Sequence, residues 1–343
     1  MHVDVMTGPG SWNGVQRLAR DVEGAGFSGM VLTEGNYTPW LSVAAAHMAA
    51  PRLHLATGVA VAFPRSPMVT AQTAWELAEL TGGQFRLGLG SQVKAHVERR
   101  YGSEFSPPVA RMRDYVLAVK ATWAAFRGDA PLAHDGRFYH LNLMTTIGQP
   151  RRHAHEHIKV DIAAVGDAMV TAAGEVADGI HVHPFHSMHY LRGQMIPTLA
   201  AATARAGRSL SDVDLIVPVL VAPGDTPEER APAVERCRAQ LAFYGSTKNY
   251  AFQFDDLGFA GTSAALNERL KAGDQAGMSA LISDEVLAHF AVVCPWDDVA
   301  DELLGRYGDL AHRLVMYTAV DGIRRDPSSL GRWGEIARTI AAA

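Results

Sequence analysis

The sequence predicts an α/β protein that folds as a (β/α)8 barrel, a TIM barrel, with insertions. Three observations support this prediction. The chain has 343 residues, which is long enough for eight strand–helix units. Short apolar runs alternate with longer segments of helical periodicity along its whole length. Eight such runs can be counted, and eight is the number of strands that closes a parallel barrel.

The predicted strands are near-continuous apolar runs, as expected for strands that are buried on both faces. They are His2–Met6, Gly29–Glu34, Leu53–Val61, Phe85–Ser91, Lys159–Val165, Gly179–Phe185, Val213–Ala222 and Leu310–Thr318. Between them, apolar residues recur at steps of three and four, which forms one apolar stripe along a helix. Helices are predicted over residues 68–80, 109–126, 167–177 and 330–340, and another begins at Thr226 with Pro227 in its first turn.

Two segments interrupt the alternation of strands and helices. Residues 128–150 are rich in turn formers, and Arg137–Leu143 within them is predicted to form a hairpin strand. Residues 245–290 are rich in aromatic residues and glycine and separate the seventh and eighth units. Because long insertions in compact domains are usually functional or disordered, we interpret this one as an ordered cover over the barrel mouth. Residues 1–343 are therefore predicted to form a single barrel domain.

Composition excludes several classes of partner. The net charge of −5 gives no electrostatic reason to expect nucleic acid or an anionic membrane. No apolar run is long enough to cross a bilayer, and the N-terminal residues do not resemble a signal peptide. Two cysteines, Cys237 and Cys294, are too few for a disulfide framework and are not spaced for zinc. We expect a cytoplasmic protein with a small-molecule substrate, no nucleic-acid or membrane partner, and assembly as a homo-oligomer, dimer or higher.

The active site of a TIM barrel lies at the carboxyl ends of its strands, so the residues there are the first candidates. Glu34 and Asn36 follow the second strand and could contact a ring system, or could instead cap the next helix. Thr57-Gly58-Val59 lies in the third strand, where a glycine indicates either a bulge or the close approach of a ligand.

The fourth and fifth strands end in glycine-containing turns. Gly90-Ser91-Gln92 is followed by Lys94 and His96, which could meet an anionic cofactor tail or could form an ordinary solvated helix face. Gly166-Asp167-Ala168 opens a helix whose free N–H groups and dipole suit a phosphate. The same turn is also a common strand-to-helix connection.

Two groups of histidines raise the possibility of a metal site. His181 and His183 would point to the same side of the sixth strand, as in barrel hydrolases. Because the other strands offer no suitable further ligands, no metal site is predicted. Residues 153–157 contain three more histidines but precede a strand, which assigns them to the surface at the opposite end of the barrel.

Several spaced segments resemble one known family. The segment TGVAVAFPRSPMVTAQTAWELAELTGGQFRLGLGSQVKAH, residues 57–96, resembles the luciferase-like oxidoreductases, which use flavin mononucleotide (FMN) or the deazaflavin coenzyme F420. The later segments AAVGDAMVTAAGEVADGIHVHPF and DEVLAHFAVVCPWDDVADELLGRYGDLAHRLVMY also fit the family, in the expected order. The fourth-strand segment that begins at Gly88 is most similar to the deazaflavin-dependent branch.

The resemblance implies a bacterial luciferase-like barrel that transfers a hydride between coenzyme F420 and a small organic substrate. An FMN-dependent monooxygenase is the alternative within the fold, and a non-catalytic flavin-binding barrel or a metal hydrolase are alternatives of other classes. A cis peptide bond between Gly58 and Val59 is also implied. The predicted cofactor-binding residues are Asn36, Thr57, Gly58, Val59, Gly90, Ser91, Gln92, Val93, Lys94, Gly166, Asp167 and Ala168.

The proton-transfer residue is the weakest point of the resemblance. Many deazaflavin enzymes carry a catalytic histidine after the second strand, where this chain has Asn36 and Tyr37. The remaining candidates for catalysis are His183, His96 and Glu34. His183 is favoured because it ends a strand and an unperturbed imidazole titrates near neutrality.

Overall fold

Eight parallel strands close into a barrel in the computed structural model, which describes residues Met1–Ala343. The chain has twelve strands in all, and four of them lie outside the eight-stranded barrel. They are β1 (His2–Thr7), β2 (Gly29–Leu32), β3 (His54–Thr57), β4 (Ala60–Val61), β5 (Phe85–Gly90), β6 (His134–Asp135), β7 (His140–Leu141), β8 (Val160–Ala164), β9 (Gly179–Val182), β10 (Asp214–Pro223), β11 (Ala291–Cys294) and β12 (Arg313–Met316). Around the barrel the order is β1, β2, β3, β5, β8, β9, β10 and β12, and β12 pairs with β1. The predicted TIM barrel is confirmed.

Helices fill the intervals between the strands. They are α1 (Trp12–Ala25), α2 (Pro39–Ala49), α3 (Pro67–Leu80), α4 (Lys94–Arg99), α5 (Pro108–Arg127), α6 (Asp167–Val176), α7 (Met188–Tyr190), α8 (Ile196–Arg205), α9 (Pro227–Gly245), α10 (Phe252–Asp255), α11 (Thr262–Lys271), α12 (Gln275–Ala280), α13 (Asp284–Ala288), α14 (Val299–Tyr307), α15 (Ala319–Arg325) and α16 (Leu330–Ala342). Serine or threonine hydroxyls cap α3 and α9, and a proline follows each cap, so both helices begin where the sequence predicts. No helix has the length and apolar character needed to cross a membrane.

Several strands end earlier than their apolar runs predict. The second ends at Leu32 rather than Glu34, and the sixth at Val182 rather than Phe185. Composition does not predict these strand ends, because the residues beyond them are still apolar or partly buried. Only their backbone departs from the regular hydrogen-bonding pattern with the neighbouring strands. The side chains released in this way line the mouth of the barrel.

The third strand is interrupted where a single strand, Leu53–Val61, was predicted. β3 ends at Thr57, the Gly58–Val59 peptide is cis as expected, and β4 then pairs with β5. A Cβ atom on Gly58 would lie 2.1 Å from Cγ1 of Val31, so only glycine fits at this bend.

The first insertion is a short hairpin tied to α5. Its strands are β6 and β7, two residues each, rather than the single strand Arg137–Leu143 that was predicted. The buried Asp114 carboxylate accepts hydrogen bonds from Nε2 of His134 and from the backbone N–H groups of Phe138 and Tyr139, at 2.6–3.1 Å. These bonds anchor the turn of the hairpin to the outer helix layer.

The second insertion is mostly helical and forms its own apolar cluster. Helices α10 to α13 pack with α9 around Phe254, Leu266 and Phe290. The segment then leads into β11, a strand that was not predicted, which extends the sheet beside the end of β10. Four residues without alternation or a turn signal give too weak a pattern for prediction.

The opposite end of the barrel is closed by ion pairs. Arg86 binds Asp161 through two hydrogen bonds and Asp214 through a third, and Arg313 binds Asp4 in the same bidentate manner. The histidines of residues 153–157 lie at this end, but they are not simply surface groups. The ring of His153 packs 4.6 Å from that of Trp75, so the segment is partly buried.

Candidate active site

A cavity of about 880 Å³ opens at the carboxyl ends of the barrel strands. Its volume lies in the range typical of sites for small molecules and cofactors. The predicted site residues that line it are Glu34, Gly58, Val59, Gly90, Ser91, Gln92, Val93, Lys94, Gly166, Asp167, Ala168 and His183. Predicted residues from five sequence segments are therefore brought together at the predicted end of the barrel.

Three predicted residues lie outside the cavity lining. Asn36 and His96 are exposed, the first in the loop after β2 and the second on α4. Thr57 is fully buried, and its hydroxyl donates to the carbonyl of Gly88 at 2.8 Å while accepting from the N–H of Gly88 at 2.9 Å. Thr57 thus pins β3 to β5 beneath the cavity.

Glu34 is held in a tight ion pair. Its Oε1 lies 2.6 Å from Nη2 of Arg65, and its Oε2 accepts from Nη1 of Arg65 at 2.8 Å and from the N–H of Val61 at 2.7 Å. The carboxylate is nearly inaccessible, with 4% of the side chain exposed. Both oxygens are occupied, so this geometry suits a clamp that fixes β4 better than a group that exchanges protons.

The cavity wall at the ends of β3, β4 and β5 consists largely of backbone atoms. A Cβ atom on Gly90 would lie 2.4 Å from Cγ2 of Val59, so the strand and the cis bend approach too closely for any other residue. Beyond β5, Gln92 adopts a φ of 59°, rare for a residue with a side chain, and its Oε1 accepts from the N–H of Val93 at 3.0 Å. The wall therefore exposes peptide groups and small side chains to the cavity.

The start of α6, which follows the strand next to β5, contributes free backbone donors to the cavity. Gly166 is the N-cap residue and offers no side-chain cap, so the first N–H groups of the helix have no partner within it. The carboxylate of Asp167 does not cap the helix either, because it accepts from Nε2 of Gln194 at 3.0 Å. The helix terminus is left open, which suits an anionic group.

His183 was expected to titrate near neutrality, and its surroundings prevent this. Burial, together with the neighbouring His186, lowers the pKa of His183 to about 3. Its Nδ1 accepts a hydrogen bond from the N–H of Phe185 at 3.1 Å, which assigns the ring hydrogen to Nε2. At neutral pH the side chain is an uncharged hydrogen-bond donor.

Three tyrosines missed by the sequence analysis surround His183. The ring of Tyr244 lies 4.5 Å and that of Tyr250 4.8 Å from the imidazole. Tyr317 follows β12, and its hydroxyl is hydrogen-bonded to that of Tyr244. The aromatic content of the second insertion was a signal for Tyr250, whereas nothing in the sequence indicated that Tyr244 or Tyr317 would face the cavity.

His181 forms a second missed feature, at the base of the cavity. Its Nε2 is buried and lies 3.4 Å from Oδ2 of Asp161. Burial alone would raise the pKa of Asp161, but the Arg86 guanidinium outweighs it and holds that pKa at about 2. The imidazole therefore contacts the Asp161–Arg86 ion pair inside the barrel. No group of three or more histidine, cysteine or acidic residues is arranged to hold a metal ion.

Comparison with known sequences assigns the family. The sequence profile of the luciferase-like monooxygenases matches residues 1–313. The chain belongs to the luciferase-like monooxygenase family. It is therefore an oxidoreductase, as the resemblance implied.

Relatives of this luciferase-like protein extend over most of its length. An uncharacterized protein of Mycobacterium tuberculosis is 37% identical over 87% of this chain and 90% of its own. A second protein of that organism, named as a candidate coenzyme F420-dependent oxidoreductase, is 27% identical over 83% of this chain and 85% of its own. The structure of the coenzyme F420-dependent tetrahydromethanopterin reductase from Methanopyrus kandleri has a TM-score of 0.79 at 17% identity and covers 97% of both chains.

The residues of the luciferase-like cavity fit a flavin-type cofactor. A flat ring system needs a wall that can approach closely, and the glycines at positions 58 and 90 leave the backbone accessible there. A phosphate needs unpaired donors, and the open start of α6 supplies them. The cavity thus has the two features that such a cofactor requires.

Proposed function

We propose that the protein is a coenzyme F420-dependent oxidoreductase acting on a small organic substrate. The observation that carries the proposal is the cavity at the barrel mouth, which combines a glycine-lined wall with the open start of a helix. The family assignment and the relative named for coenzyme F420 support the choice of cofactor.

The chain's own residues have distinct roles in this proposal. Val59 and the ends of β3 and β5 support the deazaflavin ring, and the N–H groups of residues 166–168 bind its phosphate. Lys94 projects from the rim, where 67% of its side chain is exposed, towards the acidic tail of the cofactor. When bound, the deazaflavin accepts or supplies the hydride, while the protein binds, orients and shields the reactants.

An FMN-dependent monooxygenase is the second candidate, because the family as a whole is described by that activity. The two cofactors differ in the tail, since FMN ends at its phosphate and coenzyme F420 carries an acidic extension. Lys94 is exposed at the rim of the cavity and can distinguish the two cofactors only through this tail.

The test is a titration of the purified protein with each cofactor, followed by fluorescence of the ring. We expect coenzyme F420 to bind more tightly than FMN, and Lys94→Ala to weaken only F420 binding, severalfold at low salt and less at high salt. Lys271→Ala is the matched control, because Lys271 is an exposed lysine on α11, away from the cavity. Tighter binding of FMN would favour the monooxygenase, and binding of neither cofactor would refute the proposal.

A further inference from the structure

The aromatic side of the cavity gathers four polar side chains from distant parts of the chain. His183 follows β9, Tyr244 ends α9, Tyr250 belongs to the second insertion, and Tyr317 follows β12. The ring centroids of His183 and Tyr244 are 4.5 Å apart, and those of Tyr244 and Tyr317 are 6.4 Å apart. We call His183, Tyr244 and Tyr317 the donor corner.

Each member of the donor corner is uncharged at neutral pH and carries one hydrogen-bond donor. The hydrogen of His183 resides on Nε2, because Nδ1 accepts from the N–H of Phe185. Burial raises the pKa of both Tyr244 and Tyr317, so neither ionises in the physiological range. An imidazole that stays neutral can polarise a carbonyl oxygen, as the histidine of triosephosphate isomerase does.

The two tyrosine hydroxyls hold one more hydrogen than their mutual bond requires. One hydroxyl donates to the other, and neither has another hydrogen-bond partner in the protein. The second hydroxyl hydrogen is therefore available to a ligand. Together with Nε2–H of His183, the corner offers two donors and no charged acceptor.

The charged groups around the cavity are paired, exposed or located on other elements. Glu34 is paired with Arg65, and Asp167 lies at the start of α6, where it accepts from Gln194. Asp321, whose charge helps to raise the pKa of Tyr317, is exposed on α15. Lys94 lies at the solvent-exposed rim. A buried anionic or cationic substrate group would find no counter-ion at the corner, and burying an unpaired charge costs several kcal/mol or more.

We propose that the donor corner binds the oxygen of an uncharged, hydrophobic ketone or of the corresponding secondary alcohol. The inference rests on the proposed function, because it defines which substrate class meets the cofactor. The hydroxyls and the imidazole bind the oxygen, and the rings of Tyr244 and Tyr250 pack against the hydrocarbon part. Phosphorylated, carboxylated and amino substrates are excluded.

The test uses three probes of similar shape, namely acetophenone, benzoate and benzylamine. Acetophenone carries ¹³C at its carbonyl carbon, whose resonance moves downfield when the oxygen accepts hydrogen bonds. We expect acetophenone to bind with this downfield shift and more tightly than either charged probe. Because no turnover is needed, the measurement is made with and without oxidised coenzyme F420.

The double variant Tyr244→Phe/Tyr317→Phe removes both hydroxyls and keeps the rings. We expect it to abolish much of the downfield shift and to weaken acetophenone binding about tenfold, the effect of one lost hydrogen bond of about 1.4 kcal/mol. Tyr37→Phe is the matched control, because Tyr37 is 64% exposed and lies outside the cavity lining. Circular dichroism and unchanged cofactor binding establish that both variants fold.

The failures of the two proposals are distinguishable. If coenzyme F420 binds but acetophenone does not, or if benzoate or benzylamine binds as tightly, the substrate assignment is wrong and the cofactor assignment stands. An unaltered carbonyl shift in Tyr244→Phe/Tyr317→Phe also overturns the donor corner. If no flavin-type cofactor binds, the proposed function itself is wrong.

Discussion

Acidification is expected to destabilise the protein through two histidines at and beside the cavity, of which His186 is fully buried and His183 partly buried. Burial lowers the pKa of His183 to about 3 and that of His186 to about 4, from an unperturbed 6.5. His186 is 1% exposed, with Nδ1 donating to the carbonyl of His183 at 2.8 Å and Nε2 lying 3.2 Å from the hydroxyl of Tyr307. Both imidazoles are therefore neutral in the folded protein.

The size of the effect follows from the difference in proton uptake. The unfolded chain protonates these imidazoles below about pH 6.5, while the folded protein does not until about pH 4 or 3. Stability is thus fully present above pH 6.5 and falls as the pH drops. At about pH 5 each histidine costs about 2 kcal/mol, from about 1.36 kcal/mol for each pH unit below 6.5.

The assay is urea unfolding, followed by circular dichroism at about pH 7 and pH 5. The free energy of unfolding of the wild type should decrease between these pH values. In His186→Gln we expect this decrease to be smaller by about 2 kcal/mol, because glutamine does not titrate. His189→Gln is the matched control, since His189 is exposed on the adjacent helix and should leave that decrease unchanged.

Direct titration supplies an independent measurement. The Cε1 proton resonances of His183 and His186 should not move until the pH falls well below 5. A midpoint near 6.5 for His186, or an unchanged pH dependence of stability in His186→Gln, would refute the reasoning from burial.

Three further substitutions test contacts beneath and beside the cavity. Glu34→Gln should cost about 3 kcal/mol in chemical denaturation, because it leaves the guanidinium of Arg65 without its buried carboxylate. Asp161→Asn should cost about 3–5 kcal/mol by the same measurement, because its carboxylate is fully buried on an arginine. Gly88→Ala would place Cβ 2.0 Å from a backbone carbonyl oxygen and should yield insoluble protein. Its control is Gly305→Ala, in an open helical position, which should be neutral or stabilising by up to about 1 kcal/mol.

Contrary outcomes are equally specific for these variants. Unchanged stability of Glu34→Gln would mean that the clamp contributes nothing, and recovery on adding Arg65→Gln would identify the unpaired guanidinium as the cause. A soluble, fully folded Gly88→Ala protein would show that β3 and β5 can separate at this point. Stability of Asp161→Asn equal to the wild type would remove the charged base from beneath His181.

The sequence by itself determined the barrel and the end at which the cavity lies. Strands and helices produce local patterns of period 2 and 3.6, and caps such as Thr226 with Pro227 mark boundaries within a few residues. Parallel strands alternating with helices leave few architectures, and a barrel fixes its site at the carboxyl ends. For this reason Gly58, Gly90 and Gly166 could be predicted to lie around one opening.

Only the tertiary structure decided what the polar residues do there. Glu34 is neutralised by a residue that follows in the next unit, and His183 loses its ordinary titration because residues more than 60 positions away bury it. Tyr244 and Tyr317 meet across 73 residues of chain. Partnership and burial depend on distance in space, and because local patterns carry no such distances, the side chains that contact a substrate emerge only from the closed barrel.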